Sequence, residues 1–423
     1  MAPRPIPPIR HPIEKRVRVP ASKSVTNREL VLSALAAGRS RLEIGPLDPG
    51  DDVRAMQQAL VDLGYEVSRD AERIVVRGSP TPPGRSVTVD AGDGGTVARF
   101  GLALAALGGG RVTVDGSPQL RRRPIAALVD ALRALGATAE GEALPITVSG
   151  PLAGGEVAVS GAESSQFASA LLLAAPRTAN GVRLRITGPL VSEPFVELTV
   201  AALEARGVEV ARPAPRTFEV RPQEVRARDV EIPGDVTAAT YPAAAAAILG
   251  GSVTVENVDA STRRGAQGDA RFFDLLRAAG CAVDASAFGG LGVTVRRTGA
   301  LFGVTADVRD CSDVFPTLAV IGACASTPTE LTGIGHTRRQ ESDRVAAVAA
   351  GLRALGASVT EYADAIRVEP APLAGGVVDA RGDHRIAMAF AVLGLQVPGV
   401  AIEGADAVTK TYPGFFDMLR ELA

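Results

Sequence analysis

Three residue types are scarce in this chain, and each scarcity excludes something. Its 423 residues hold three cysteines, Cys281, Cys311 and Cys324, too few and too widely spaced for a disulfide framework or a close-set metal site. Three histidines, with no His-x-x-His or Cys-x-x-Cys, argue against a transition-metal centre, and no metal is expected. Apolar runs of membrane-spanning length are missing, and residues 1–10, MAPRPIPPIR, lack the hydrophobic region of a signal peptide. The expected location is therefore the cytoplasm, with no membrane partner. No polybasic run occurs, and with a net charge of −2 the chain is not built as a general nucleic-acid binder.

Lysine is the third scarce residue type. Lys15, Lys23 and Lys410 are the only lysines among 45 basic residues. A composition that uses arginine wherever a surface charge suffices draws attention to positions that keep a compact, rotatable ammonium. Lys23 lies in Val19 to Gly38, VPASKSVTNRELVLSALAAG, a polar turn leading into a helix with Leu30, Val31, Ala34 and Leu35 at helical spacing and Gly38 as its stop. The first N–H groups of a helix lack intrahelical partners and its positive dipole end attracts phosphate or carboxylate. Ordinary capping accounts for the hydroxyls here. It does not account for the cation.

What the chain has is repetition. Helical segments ending in glycine recur as LVDLG-YEV, LRALG-ATA, LEARG-VEV, LLRAAG-CAV and LRALG-ASV, with Gly64, Gly136, Gly207, Gly280 and Gly356 separated by 72, 71, 73 and 76 residues. A sixth copy, FFDMLRELA, resembles Phe272 to Gly280. Between them runs a second series of small-residue helices near 25–37, 96–107, 165–175, 237–249, 314–325 and 384–394. A supersecondary unit of two helices and several short strands used six times is expected, and at this length two or three domains.

The openings of these helices carry Lys23, Arg123, Arg344, Arg385 and Lys410, cations that capping does not need and the helix dipole mildly disfavours. Equivalent placement in a repeat predicts convergence on a shared ligand bearing phosphate and carboxylate. Asp313 and Glu341 are the carboxylates available for proton transfer beside them. GDGGT at 92–96 lacks the dinucleotide spacing, no ATP-binding G-x-x-x-x-G-K-[ST] is present, and Asp383-His384-Arg385 has no G-x-S-x-G nucleophile elbow.

Nine segments together resemble the EPSP synthase family of enolpyruvyl transferases. They are SKSVTNR (22–28), GDGGTVARF (92–100), RRRPIAALVDALRALGA (121–137), ESSQFASALLLAAP (163–176), GDVTAATY (234–241), SDVFPTLA (312–319), QESDR (340–344), GDHRIAMAF (382–390) and KTYPGFF (410–416). The resemblance implies an α/β, two-domain inside-out barrel of six βαβαββ units, three per domain, divided as 20–233 and 1–19 plus 234–423, with the active site between the domains. It also implies transfer of the enolpyruvyl group of phosphoenolpyruvate to the 5-hydroxyl of shikimate 3-phosphate by addition and elimination, in a monomer without cofactor. By matching motif, Lys23, Ser24, Arg28, Ser164, Ser165, Gln166, Ser192, Asp313, His336 and Gln340 would meet shikimate 3-phosphate. Lys23, Gly95, Arg123, Gln166, Arg344, Arg385 and Lys410 would meet phosphoenolpyruvate. Lys23, Asp313 and Glu341 would be catalytic, Asp313 taking the hydroxyl proton and Glu341 handling protons at the methylene carbon.

Four positions depart from the family's usual residue. Gln340 stands for a lysine, Asp93 for an asparagine, Phe195 for a tyrosine and His336 for an asparagine found in some members. Three other readings stay open at this point: a UDP-N-acetylglucosamine enolpyruvyl transferase, opposed by the absence of cysteine from DGSPQLRRR at 115–123; an RNA 3′-phosphate cyclase, opposed by the acidic balance; and an enolpyruvyl transferase with another acceptor, or a phosphometabolite-binding homologue that has lost its chemistry.

Overall fold

The computed structural model describes residues 2–286 and 290–423, and the chain divides into two compact units. One is the continuous stretch Ala21–Ile232; the other joins the segment up to Pro20 to Pro233–Ala423.

Five four-stranded sheets share one topology. In the plainest case Val87–Asp90 runs parallel to Arg111–Asp115, which pairs antiparallel with Ile146–Ser149, which takes Thr138–Glu140 at its outer edge. Between the parallel strands the chain crosses over through a helix, as parallel pairing requires. Gly155–Ser160, Val182–Thr187, Thr217–Val220 and Ala211–Ala214 repeat the pattern, as do Thr305–Asp307, Thr329–Thr332, Ala365–Glu369 and Ser358–Glu361.

Two sheets borrow their parallel strand from far along the chain. Val230–Glu231 lies beside Gly38–Glu43, so the end of the Ala21–Ile232 unit closes onto its beginning. Ile13–Val17 lies beside Gly251–Val255, which ties the N-terminal segment into the other unit. The sixth sheet is three-stranded: Val377–Asp379 is parallel to Ala401–Glu403, and Arg4–Pro5 takes the place of the hairpin. The result is an α/β fold of six related βαβαββ units, three in each compact unit.

The helices fall into two classes. Outer helices are α2 (Asp51–Leu63), α5 (Ala126–Ala134), α7 (Glu193–Ala205), α9 (Arg271–Ala278), α11 (Arg344–Ala354) and α13 (Phe415–Leu422). In α9, for instance, Phe272, Phe273 and Leu276 are buried while Asp274 and Arg277 are not. Five of the six close identically. The residue after each glycine donates its N–H to the carbonyl five positions back (Tyr65 to Leu60, Ala137 to Leu132, Val208 to Leu203, Cys281 to Leu276, Ala357 to Leu352). This closure needs a left-handed residue, and Gly64 (φ 103°) and Gly136 (φ 99°) show why glycine recurs there.

Inner helices are α1 (Lys23–Leu35), α3 (Gly95–Ala105), α6 (Ser165–Ala174), α8 (Val236–Leu249), α10 (Phe315–Ala323) and α12 (His384–Gln396). Helix α1 is not the one-sided helix that its apolar spacing suggests: every residue from Thr26 to Leu35 is buried, Arg28 and Glu29 included. It packs against α2, α3, α6 and α7, so no face is left for water. It also ends earlier than expected, at Leu35, and Gly38 (φ 110°) opens the following strand instead of stopping the helix. Among the described residues no helix is long and apolar enough to cross a membrane.

Candidate functional site

The predicted residues fall into two groups, one in each compact unit. In the Ala21–Ile232 unit the first two turns of α1, α3 and α6 are tied together pairwise. Asn27 Nδ2 of α1 donates to Thr96 Oγ1 of α3 at 2.9 Å. Arg99 Nη1 of α3 donates to Gln166 Oε1 of α6 at 2.7 Å. Arg28 Nη2 of α1 donates to Ser169 Oγ of α6 at 3.3 Å. Three helix N-termini with their partnerless N–H groups are thereby gathered in one place, which suits anions.

Around that point the other predicted residues are arranged. Lys23 is the first residue of α1, and its Nζ lies 3.2 Å from Asp52 Oδ2 in the first turn of α2. Gly95 opens α3, and a Cβ there would come within 2.7 Å of Arg123 Nη1, so glycine lets the guanidinium lie against the helix start. Ser164 caps α6 by accepting the Gln166 N–H at 3.2 Å, and Ser165 is its buried first residue. Ser192, ahead of α7, holds φ 52° and ψ 42°, a left-handed conformation that a serine keeps only under local constraint.

Arg28 is buried, and among the described residues its hydrogen bonds go to neutral oxygens. Nε donates to Thr199 Oγ1 at 2.8 Å, Nη1 to the Ser24 carbonyl at 2.8 Å and Nη2 to the Phe195 carbonyl at 2.9 Å. Burial lowers its pKa to about 9. Phe195, where the family's tyrosine is usual, offers Arg28 its carbonyl and its ring, with the Arg28 Cζ 6.0 Å from the ring centroid. Asp93 accepts a hydrogen bond from Ser117 Oγ, which also caps the short helix α4 (Pro118–Arg121).

In the other unit, the guanidinium of Arg344 is the centre. Its side chain is 1% exposed; Nε donates to Asp383 Oδ2 at 2.8 Å, Nη1 to Asp313 Oδ1 at 2.8 Å and Nη2 to Glu341 Oε2 at 2.6 Å. Nη1 also donates to Gln340 Oε1. Burial alone would lower the Arg344 pKa, but Asp383, Glu341 and Asp313 together hold it above the ordinary arginine value. Gln340 therefore has a structural use that a lysine could not fill, since an ammonium has no oxygen to accept from Arg344.

Asp313 is shared. Its second oxygen accepts from Arg385 Nη2 at 2.5 Å, while its side chain remains 28% exposed. Arg385 follows Asp383, the N-cap of α12, whose Oδ1 accepts the Arg385 N–H at 3.0 Å. Asp383 thus fixes both arginines. His336 Nε2 is 2.8 Å from Ser312 Oγ, next to Asp313, and burial lowers its pKa, favouring the neutral ring at pH 7. Lys410 ends the 3₁₀ turn Ala405–Lys410, which packs on α12, and is buried.

Sequence reasoning read the five cations as awaiting an external anion. For Lys23, Arg344 and Arg385 the chain already supplies carboxylates, in Asp52, Asp313, Glu341 and Asp383. Nothing local in the sequence marks Asp52 or Asp383 as those partners, or ties Arg99 to Gln166. Their partners lie too far away in sequence. The three thiols are not poised nucleophiles: burial pushes Cys281 up to about 11, Cys324 up to about 12 and Cys311 higher still.

With this geometry in view, the comparisons with known proteins agree. The family model for EPSP synthase (3-phosphoshikimate 1-carboxyvinyltransferase) matches residues 8–419. The 3-phosphoshikimate 1-carboxyvinyltransferase of Methanosphaerula palustris is 41% identical over 416 residues, 96% of each chain. That of Methanoregula boonei is 38% identical over 424 residues, 98% of each chain. Among solved structures, EPSP synthase from Acinetobacter baumannii gives a TM-score of 0.81 at 25% identity, covering 99% of this chain and 97% of that one. The enolpyruvyl transferase NikO from Streptomyces tendae shares the fold, with a TM-score of 0.75 at 20% identity over 97% of this chain and 95% of that one.

Proposed function

Because the chain belongs to the EPSP synthase family, we propose how its own residues divide the 3-phosphoshikimate 1-carboxyvinyltransferase reaction that it catalyses. In that reaction the 5-hydroxyl oxygen of shikimate 3-phosphate attacks C2 of phosphoenolpyruvate and loses its proton while C3 gains one. The tetrahedral ketal then loses a proton from the new methyl group as the bond to phosphate breaks. Two proton-handling groups and several fixed cations are required, and no redox step occurs.

The observation that carries the assignment is Asp313, held with one oxygen on Arg344 and the other on Arg385 and still partly exposed. A carboxylate gripped by two arginines is a poor base. When phosphoenolpyruvate brings its carboxylate and phosphate to Arg344, Arg385 and Lys410, those cations turn toward the ligand, and Asp313 regains basicity as the hydroxyl arrives. Glu341, on the remaining amino group of Arg344, gives the methylene carbon its proton and takes one back. Lys23, Gly95, Arg123 and Gln166 serve the same ligand from the Ala21–Ile232 unit, with the rotatable ammonium of Lys23 shared between both substrates and set against the leaving phosphate. Ser24, Arg28, Ser164, Ser165, Gln166 and Ser192, with His336 and Gln340, hold shikimate 3-phosphate. We infer a cytoplasmic monomer.

Phosphate release measured with both substrates and with each alone tests the reading. Release is expected only with the pair; release from phosphoenolpyruvate alone, or none with the pair, would defeat it. Size-exclusion chromatography with light scattering tests the monomer.

A further inference from the structure

Arg121, Arg122 and Arg123 are consecutive, and the structure gives them different settings. Arg121 Nε and Nη2 donate to Asp115 Oδ1 and Oδ2 at 2.9 and 2.6 Å, and Arg122 is exposed. Arg123 is the one set against Gly95, the first residue of α3. Helix α4, which leads the chain toward it, has four residues and is too short to fix a direction by itself.

The direction comes from Ser117, the cap of α4. Its N–H donates to the Gly92 carbonyl at 2.9 Å, and its Oγ donates to Asp93 and accepts the Leu120 N–H at 3.2 Å. The Leu120 carbonyl in turn accepts the Arg123 N–H at 3.0 Å. Gly116 permits the approach, since a Cβ there would come within 2.6 Å of the Gly92 carbonyl oxygen. Gly92 and Asp93 belong to the loop after Val87–Asp90, and Ser117 to the loop after the parallel strand Arg111–Asp115.

We propose that Ser117 is a positioning residue for phosphoenolpyruvate, acting through Arg123 by tying the loop that opens α3 to the loop that aims this guanidinium. The inference rests on the assignment of Arg123 to phosphoenolpyruvate. The contacts close a ring: Asp93 leads into Gly95, Ser117 holds Asp93 and Leu120, Leu120 holds Arg123, and Arg123 lies on Gly95. A hydroxyl has one proton to give and lone pairs to accept with, so one small side chain serves both neighbours. The carboxylate acceptor makes the bond to Asp93 charge-assisted and strong. Without the hydroxyl, the cap and the Asp93 tie are lost together, and Arg123 keeps its charge but not its place. An anion held by a two-pronged guanidinium contact is sensitive to that loss, because direction matters as well as charge.

The test is steady-state kinetics for both substrates, with Tm, in the wild type, Ser117→Ala, Ser117→Thr, Arg123→Lys and the double variant of Ser117→Ala with Arg123→Lys. Ser117→Ala should raise KM for phosphoenolpyruvate about five- to tenfold, the scale of one or two ordinary hydrogen bonds, and KM for shikimate 3-phosphate far less. Ser117→Thr keeps the hydroxyl and should restore KM. In the double variant the serine change should add little to Arg123→Lys, because the fork it aims is already gone. A lower Tm with both KM values unchanged would make Ser117 a helix cap only and overturn the inference. Equal rises for both substrates, or effects that multiply in the double variant, would overturn it as well. An unchanged KM in Arg123→Lys is a separate failure, which removes the assignment of Arg123 and the inference with it. A rise in Arg123→Lys without one in Ser117→Ala leaves that assignment standing and overturns the inference alone.

Discussion

The two compact units are built from the same repeat, and both pair cations with buried carboxylates: Lys23 with Asp52 and Arg206 with Glu29 in one, Arg344 with Asp383 in the other. Yet the arginines near the openings of their helices find different partners. In the Ala21–Ile232 unit, Arg28 and Arg99 reach neutral oxygens: hydroxyls, backbone carbonyls and the amide of Gln166. In the other unit, Arg344 and Arg385 are locked to Asp313, Glu341 and Asp383. The two units share the scaffold but not the partners given to these arginines. The first arrangement holds its arginines in place through neutral groups. The second sets Asp313 and Glu341, the base and proton donor proposed above, beside the arginines that restrain them.

That contrast can be broken most severely at the base. Asp313→Asn should lower kcat by about 10³- to 10⁴-fold, the usual upper range for a positioned proton acceptor, while calorimetry still shows shikimate 3-phosphate binding. Turnover within a few-fold of wild type would make Asp313 a structural anchor only. Next comes the carboxylate-bound arginine. Arg344→Met leaves Asp383 buried without its cation and should cost about 3–5 kcal/mol of stability by chemical denaturation. Arg123→Lys, which keeps the charge at the start of α3, should leave stability nearly unchanged and raise KM for phosphoenolpyruvate, because a bidentate contact is lost. Equal stability losses in the two variants would erase the distinction between the units.

Lys23→Arg preserves charge and should still lower kcat/KM about 100-fold, because a planar fork cannot replace a point donor shared between two anions. Near-normal kinetics would remove the significance attached to the scarcity of lysine. The smallest effect is expected at Gly95→Ala. The added methyl would press on Arg123 Nη1, the movable end of a long side chain, so folding should be almost unaffected while KM for phosphoenolpyruvate rises a few-fold. A change of Tm without a change of KM would place the strain in the backbone instead.

Much of the scaffold was legible in the residues. The five glycines at regular intervals each end an outer helix in the same backbone closure, because a left-handed position leaves a local signature that no tertiary contact needs to supply. The inner series of helices was legible for a similar reason: small residues admit close neighbours. The buried character of α1 was not. Its spacing of Leu30, Val31, Ala34 and Leu35 looks one-sided, and only the neighbouring helices reveal that Arg28 and Glu29 are enclosed as well. Glu29 is enclosed with Arg206, whose Nη2 donates to it at 2.6 Å from 177 positions away.

That Arg344 and Arg385 call for anionic partners was legible, since capping offers no reason for either. Their partners were not. Arg344 meets Asp313 and Asp383 across 31 and 39 positions, and Arg385 meets Asp313 across 72. No local pattern encodes pairings of that range. The meaning of Gln340 was hidden for the same reason: as a lost charge it looks like a defect, and as an acceptor for Arg344 it is a compensating contact.

The strand Ile13–Val17 has a consequence for how the molecule comes into being on the ribosome. Its partner, Gly251–Val255, is made only after the whole Ala21–Ile232 unit, and Arg4–Pro5 must wait longer, for Ala401–Glu403. The continuous unit can therefore complete itself while the earliest-made strands are still solitary. At translation speeds of about 5–20 residues per second, the first strand spends on the order of ten seconds or more as an unpaired edge. Glu14, Lys15 and Arg16, three charges in a row between Ile13 and Val17, make that waiting strand a poor template for aggregation. The same charges that look like surface decoration in the finished fold are its protection before the fold exists.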